Sequence, residues 1–194
     1  MQALRSVCVY CGSANEVDPR FRKAAAVFGK MLGEAEVGLV YGGGCIGLMG
    51  EVADGVLASG GHVTGIIPTH LHDREVAHPR VSDLIVVSDM HERKMLMAER
   101  ADGFVILPGG YGTLDEMFEI LTWRQLGLHD KPIVIVNLHG YWDTLIALLD
   151  NICEQGFAGP KPRQLYSVVD QLEDVLPALH REAPPAVPIE AKWS

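Results

Sequence analysis

Hydrophobic and polar positions follow two different patterns along the chain. Short, nearly continuous runs of Val, Ile and Leu predict strands that are buried on both faces, as in a parallel sheet. Longer stretches between them place apolar residues three or four positions apart, which predicts amphipathic helices. The predicted strands are residues 6–10, 38–41, 62–67, 84–87, 103–107, 133–136 and 166–169, and the predicted helices are 19–33, 46–59, 90–101, 114–126, 141–155 and 172–180.

This alternation predicts an α/β fold, a doubly wound and mostly parallel seven-stranded Rossmann-like sheet with helices on both faces. We expect one domain over residues 1–182 and a disordered, proline-rich tail over 183–194. Residues 68–83 show no clear periodicity and are rich in His, Asp and Glu, so they are predicted to form a functional loop. Ligands of such sheets bind beyond the carboxyl ends of the strands.

The stretch from Pro108 to Glu116 has the pattern of a strand, a glycine turn and a helix. Its three glycines allow backbone N–H groups to approach a ligand, and the N-terminus of the following helix favours a phosphate. Glu116 is then one turn into the helix, close to a sugar held by that phosphate. Thr113 and Glu116 also have the spacing of a capping box, in which Glu116 would bond the backbone of Thr113. The two interpretations are not exclusive.

A second glycine loop contains Gly42, Gly44 and Gly47, which match G-x-G-x-x-G between a strand and a helix. A dinucleotide site also needs an acidic residue about 20 positions later, but residues 66–69 at that distance contain no acid, and the next one is Asp73. Binding of another nucleotide or phosphosugar, and a purely structural tight turn, both stay open. A third loop follows the first strand, where Ser13 is either a ligand donor or part of an ordinary strand end.

The segment from Ser88 to Lys94 opens a helix that Ser88 or Asp89 can cap. Arg93 and Lys94 fall in its first turns, on the predicted ligand side of the sheet, where cations suit a phosphate. The alternative is a solvated helix face, because other charged residues are close in sequence.

The net charge of −9 and the pI of about 5.3 argue against broad binding to nucleic acid or to an anionic membrane. No apolar run approaches the ~18 residues that span a bilayer, and the N-terminus lacks signal-peptide organisation. We therefore expect a cytoplasmic protein. Cys8 and Cys11 form a C-x-x-C, which would suit a redox pair or half of a metal site. Because no second pair exists, we interpret Cys8 as a strand core residue and Cys11 as the end of the strand. The histidines lack strong ligand spacing, so no metal site is predicted.

Two of these motifs, residues 88–94 and 108–116, together resemble the Lonely Guy family, the cytokinin riboside 5′-monophosphate phosphoribohydrolases. Members of this family were long labelled possible lysine decarboxylases. The resemblance covers about residues 4–180 and preserves the order of the motifs. Further matching pieces are residues 11–13, 41–44, 47–50, 101–104, 122–123, 125–127 and 140–142.

The resemblance implies hydrolysis of a nucleoside 5′-monophosphate to free base and ribose 5-phosphate, without a metal or organic cofactor. It also implies a homodimer with the active site near the interface. Arg93 and Glu116 match the catalytic pair, and Asp115 stands where many relatives have Glu. The residues expected to bind substrate are Gly12, Ser13, Gly43, Glu75, Met90, Lys94, Gly109, Gly110, Tyr111, Gly112, Thr113, Leu114, Asp115 and Thr122.

The chemistry of N-glycoside cleavage is consistent with this pair. Positive charge develops at C1′, where a carboxylate can stabilise it and orient or deprotonate water. An arginine can hold the phosphate or stabilise the departing base. The main alternative is a non-catalytic nucleotide or molybdenum-cofactor carrier, which has no need of an Arg93–Glu116 pair. A dinucleotide oxidoreductase is disfavoured, because the sequence lacks the acidic residue that binds the ribose in that class of enzyme. The choice between adenine and N6-prenylated adenine stays open.

Overall fold

The computed structural model describes residues 4–72, 77–158 and 165–180. They contain one seven-stranded sheet in the order β4-β3-β2-β1-β5-β6-β7, with every neighbouring pair parallel. All seven predicted strands are confirmed, with ends that differ by no more than one residue. The strands are β1 Ser6–Tyr10, β2 Gly38–Tyr41, β3 Val63–Pro68, β4 Asp83–Val87, β5 Gly103–Ile106, β6 Ile133–Val136 and β7 Ser167–Val169.

The predicted helices are also present, with changes at three places. Part of the segment predicted to be irregular forms a short helix, the predicted helix over 172–180 begins as a 3₁₀ turn, and the helix after the 108–110 turn begins three residues early. The helices are α1 Pro19–Glu34, α2 Gly47–Ala58, α3 Thr69–His72, α4 Met90–Glu99, α5 Tyr111–Gln125, α6 Asp143–Glu154 and α7 Val175–Leu179, with 3₁₀ turns at Leu138–Gly140 and Leu172–Asp174. The predicted tail at 183–194 lies outside the described residues.

Two apolar layers cover the two faces of the sheet, as the doubly wound pattern predicts. Val7 and Val9 pack with α1, α2 and α7, whereas Cys8 and Tyr10 pack with α4, α5 and α6. Cys11 belongs to the first layer, so the two cysteines of the C-x-x-C lie on opposite faces of the sheet. Both thiols are free, and burial raises their pKa. The prediction that they are core residues is confirmed.

The order of the strands identifies where a ligand should bind. The chain moves outward from β1 through β2 and β3 to β4, then crosses back and places β5 on the other side of β1. The connections after β1 and β5 therefore leave the sheet in opposite directions and open a crevice at their carboxyl ends. The backbone N–H of Gly12 donates to the Pro108 carbonyl at 3.0 Å, which joins the two loops at this point.

Candidate active site

A cavity of about 410 Å³ occupies the crevice between the ends of β1 and β5. Its walls come from the three glycine-containing loops, from the start of α4 and α5, and from α3. The lining residues are Val9, Cys11, Gly12, Ser13, Ala14, Gly42, Met49, Leu71, Met90, Arg93, Met97, Gly110, Tyr111, Gly112, Thr113, Asp115 and Glu116.

The N-terminus of α5 opens directly into this cavity. Gly110 is the N-cap residue, with an extended backbone (φ −104°, ψ −151°), and no side chain caps the helix. The N–H of Leu114 makes the first bond of the helix, to the Gly110 carbonyl at 3.1 Å. The N–H groups of residues 111–113 precede that bond and have no partner within the helix. They are donors for an anion, reinforced by the helix dipole.

The capping-box interpretation of Thr113 and Glu116 is wrong. Because the helix starts at Tyr111, Thr113 is already inside its first turn and cannot be the N-cap. The turn before the helix is tightly packed: a Cβ on Gly109 would lie 2.1 Å from the Thr113 hydroxyl oxygen and 2.9 Å from the Gly12 nitrogen. Residues 110–113 have weak helix propensity, so the sequence pattern showed the helix only from Leu114 onward.

Glu116 projects from the second turn of α5 into the cavity, where its side chain is 11% exposed. Its Oε1 lies 3.9 Å from Nη2 of Arg93, too far for a hydrogen bond. Among the described residues its carboxylate has no hydrogen-bond donor. Burial raises the pKa of Glu116 to about 7, against the opposing attraction of Arg93. A carboxyl group with this pKa can act as a base or as an electrostatic group near neutral pH.

Arg93 is held in place by the second glycine loop. As predicted, Asp89 caps the N-terminus of the helix that carries Arg93. The Asp89 side chain accepts hydrogen bonds from the N–H groups of His91 and Glu92. Nη2 of Arg93 donates to the Gly42 carbonyl at 3.3 Å, and a Cβ on Gly42 would lie 1.8 Å from that nitrogen. Its Nε is buried and has no partner among the described residues. Nη1 also lies 3.6 Å from the Met90 sulfur, so the guanidinium is held beside Glu116 from two sides.

Lys94 has a different environment, although it is adjacent in sequence. Its Nζ lies 3.1 Å from Asp115 and 3.2 Å from Glu119, so it ties α4 to α5. Burial alone would lower the pKa of Lys94, but these two carboxylates raise it above its ordinary value. Arg93 and Lys94 are both buried, so the interpretation of a solvated helix face is wrong for them.

At the second glycine loop, the first backbone N–H groups of the following helix are hydrogen-bonded to other parts of the protein. At the start of α2, the N–H of Gly47 donates to the Asn15 side chain at 3.0 Å, and the N–H of Leu48 donates to the Gly12 carbonyl at 2.9 Å. Gly47 has φ +61°, and a Cβ there would lie 2.5 Å from the backbone of Ser13. Of the alternatives left open for this loop, the structural tight turn accounts for these contacts. A dinucleotide pyrophosphate would need the same donors.

The structure brings most of the predicted site residues together. Ten of them line the cavity: Gly12, Ser13, Met90, Arg93, Gly110, Tyr111, Gly112, Thr113, Asp115 and Glu116. Five others do not line it: Gly43, Lys94, Gly109, Leu114 and Thr122. Thr122 is exposed on α5, where its hydroxyl donates to the Phe118 carbonyl at 2.7 Å. Glu75 lies outside the described residues.

Sequence reasoning missed the apolar part of the lining, which includes Met49, Leu71 and Met97. Met49 and Met97 have the spacing of ordinary helix core residues, and Leu71 lies in the segment 68–83, where the sequence predicted a functional loop but no particular contact residue. Gly42 was noticed only as part of a glycine pattern, whereas the structure shows it supporting Arg93. Within the parts of the chain that the structure describes, no three His, Cys, Asp or Glu side chains converge to hold a metal ion. None of the described helices has both the length and the apolar composition needed to cross a membrane.

The fold and the cavity define a Rossmann-like α/β protein with a helix N-terminus for an anion and a buried Arg–Glu pair. The family model "Possible lysine decarboxylase" matches residues 49–179. A probable cytokinin riboside 5′-monophosphate phosphoribohydrolase of Oryza sativa subsp. japonica, LOGL9, is 48% identical over 180 residues, covering 89% of this chain and 79% of the relative. The Arabidopsis thaliana enzyme LOG3 is 42% identical, with coverage of 93% and 84%. The chain belongs to this phosphoribohydrolase family.

Solved structures with low sequence identity share the fold. The molybdenum cofactor carrier protein of Chlamydomonas reinhardtii superposes with a TM-score of 0.69 at 20% identity, covering 91% of this chain and 96% of the carrier. The molybdenum cofactor binding protein of Rippkaea orientalis gives a TM-score of 0.68, also at 20% identity. Both matches confirm the Rossmann-like architecture.

Proposed function

We propose that this protein hydrolyses the N-glycosidic bond of nucleoside 5′-monophosphates of the adenine and cytokinin type, releasing free base and ribose 5-phosphate. The observation that carries the proposal is the position of Glu116. It lies buried beside Arg93, one turn along the helix whose unpaired N–H groups face the same cavity. The names of the relatives in rice and Arabidopsis support the same reaction.

The geometry suggests a division of roles among these groups. A 5′-phosphate on the N–H groups of residues 111–113 places the ribose along the first turns of α5, toward Glu116. The carboxylate then stabilises positive charge at C1′ and orients or deprotonates the attacking water. Arg93, which lines the same cavity, stabilises negative charge on the departing base or on the phosphate. We propose that side chains supply all of this chemistry, without a metal or organic cofactor.

A carrier without catalytic activity is the second candidate, and the molybdenum-cofactor proteins share its fold. Two observations favour the enzyme. Glu116 is held in a buried position that raises its pKa to about 7, which binding of an anionic ligand does not require. In addition, relatives at 40–48% identity have names of hydrolases, whereas the carriers are matched at about 20%.

We also propose that two copies of the chain assemble as a homodimer in the cytoplasm, with the active site near the interface. The support is a set of exposed apolar side chains on α4 and α5, the two helices that carry Arg93 and Glu116. Met117 and Leu121 of α5 are buried in the core, while Phe118 of the same helix is 37% exposed and Met95 of α4 is 50% exposed. A partner would bury these side chains. Sedimentation that shows a fully active monomer at micromolar concentration would contradict this assembly.

Base release decides between the enzyme and the carrier. The protein is incubated with AMP and, separately, with N6-isopentenyladenosine 5′-monophosphate, and free base and ribose 5-phosphate are quantified. Equal amounts of the two products identify a hydrolase, and the ratio of the two rates ranks the bases. Nucleotide binding by calorimetry with no release of base from either compound would identify a carrier.

A further inference from the structure

The loop after β6 reaches across to the glycine turn that follows β5. These strands are neighbours, with Val105 paired to Val134 in the sheet. After β6 the 3₁₀ turn Leu138–Gly140 leads directly to Tyr141, whose hydroxyl donates a hydrogen bond of 2.6 Å to the Gly109 carbonyl. Tyr141 does not line the cavity. Tyr141 is 43% exposed, so its bond to the glycine turn is made at the protein surface and outside the cavity lining.

The ring of Tyr141 is held in a defined orientation by its neighbours. Phe21 of α1 meets it edge-on with ring centroids 5.4 Å apart, and Trp142 meets it edge-on at 4.7 Å. The preceding turn contains His139 with φ +56°, a left-handed conformation that is unfavourable for a residue other than glycine. The tertiary structure maintains this strained backbone just before Tyr141.

The hydrogen bond determines which way one peptide group points. In a trans peptide, the C=O and the following N–H point in opposite directions. Because the Gly109 carbonyl is directed toward Tyr141, the N–H of Gly110 is directed away from Tyr141, and Gly110 itself lines the cavity. Gly109 is packed against Thr113 and Gly12, whereas a Cβ on Gly110 would meet nothing within 4 Å. The Tyr141 hydroxyl adds to this packing a hydrogen bond that selects the direction of the Gly109 carbonyl.

We propose that Tyr141 is a positioning residue for the phosphate subsite. Its hydroxyl fixes the peptide between Gly109 and Gly110, so that the Gly110 N–H and the first turn of α5 are pre-organised for a 5′-phosphate. The inference rests on the proposed function, since it assigns the phosphate of the substrate to this turn. Tyr141 contributes to substrate affinity through the loop and does not act on the reacting bond.

The test compares two variants that each remove one phenolic oxygen. Tyr141→Phe keeps the ring contacts and deletes the bond to Gly109. Tyr41→Phe is the matched control, because the Tyr41 hydroxyl is buried without a partner among the described residues. For Tyr141→Phe we expect KM for AMP to rise about five- to tenfold, as for loss of one hydrogen bond, with kcat within about twofold. The inhibition constant of ribose 5-phosphate should rise by the same factor, whereas inhibition by adenine should not change. Tyr41→Phe should match the wild type.

The outcomes separate this inference from the proposed function. If the wild type releases base and Tyr141→Phe has wild-type KM and wild-type inhibition by ribose 5-phosphate, the positioning role is overturned. Equal losses of apparent affinity for AMP, ribose 5-phosphate and adenine would overturn it too, because they indicate general damage to the site. If the wild type releases no base, the proposed function fails. Calorimetric titration with inorganic phosphate then tests Tyr141 directly: a weaker affinity in Tyr141→Phe supports the role, and an unchanged affinity overturns it.

Discussion

Two turns in this protein have the same design, a strand followed by glycines and a helix, but they use their helix donors differently. At the start of α2, Asn15 and the Gly12 carbonyl accept the hydrogen bonds of the first N–H groups. At the start of α5, no side chain caps the helix, and the cavity lies in front of it. A glycine pattern therefore indicates that another group comes close to the backbone. That group can be a ligand or another part of the protein.

The two turns nevertheless cooperate in one site. The turn before α2 supports Arg93, because the Gly42 carbonyl accepts a hydrogen bond from its guanidinium, which occupies the space that a Cβ on Gly42 would need. The turn before α5 supplies the anion donors and carries Glu116. The turn before α2 holds the Arg93 guanidinium in place, and the turn before α5 is proposed as the phosphate site. Four predictions test this division, in order of decreasing effect.

The largest effect should follow from removing the phosphate of the substrate. If α5 binds that phosphate, adenosine leaves several donors without their anion, and two or three charge-assisted bonds of about 1.5–3 kcal/mol each are lost. We expect kcat/KM for adenosine to be lower than for AMP by a factor on the order of 10² or more. Part of the loss should appear in kcat, because the phosphate positions C1′. Rates of base release from AMP, adenosine and ATP under identical conditions measure it, and ATP should also be a poor substrate. Similar rates for adenosine and AMP would assign the α5 donors to another ligand.

Substitution of Glu116 by Gln should have the next largest effect. Gln keeps the shape of the side chain and removes its charge, so the loss should resemble that of other pre-organised electrostatic groups, about 2.7–4 kcal/mol or 10²–10³ in kcat. Nucleotide affinity measured by calorimetry should change little. Glu119→Gln, one turn further along α5 and outside the cavity lining, is the control for charge removal on this helix. A Glu116→Gln variant with near wild-type turnover would refute the proposed mechanism.

The same variant should change how stability depends on pH. Burial raises the pKa of Glu116 from 4.5 to about 7, so the folded protein holds this proton more tightly than the unfolded chain does. The contribution of Glu116 to stability is therefore fully present below pH 4.5 and is lost as the pH rises through 7. Relative to wild type, Glu116→Gln should gain on the order of 3 kcal/mol between pH 4 and pH 8.5. Urea unfolding at both pH values measures it. Glu154→Gln, at an exposed position of α6, controls for the lost charge.

The smallest effect concerns the donors at the start of α2. Asn15→Ala removes the acceptor of the Gly47 N–H, which should destabilise the fold by about 1 kcal/mol. Because these donors serve the fold, the affinity for ribose 5-phosphate should stay within about twofold of wild type. Chemical denaturation and inhibition constants test the two halves of this expectation. A large loss of phosphate affinity with unchanged stability would show that the α2 turn also binds the ligand.

The fold was predicted well because its signals are local and repeated. Each inner strand is a short apolar run buried on both faces, and all seven were located to within one residue. The errors occurred where tertiary contacts decide. The start of α5 was placed at Leu114 because residues 110–113 are weak helix formers, yet the helix begins at Tyr111, directly after a turn in which Gly109 packs against Thr113 and Gly12.

The candidate site was predicted in part, for the same physical reasons. Glu116 and Arg93 were identified from motifs, and the structure places them 3.9 Å apart in one cavity. Their environments could not be derived from spacing. Lys94 has the same local signal as Arg93, but the carboxylates that neutralise it come from α5, 21 residues or more away along the chain. The role proposed for Tyr141 likewise depends on a hydrogen bond across 32 positions of sequence.

The sequence by itself determined the class of fold, the order of its elements, the family and the residue types available for chemistry. These follow from periodicity and from short motifs, whose physical causes act over a few residues. Only the tertiary structure decided which glycine turn keeps its helix donors available, which of two adjacent cations faces the cavity, and how far burial raises the pKa of Glu116. Those properties depend on desolvation and on hydrogen bonds between distant segments, which exist only once the sheet has brought the ends of β1, β2 and β5 together.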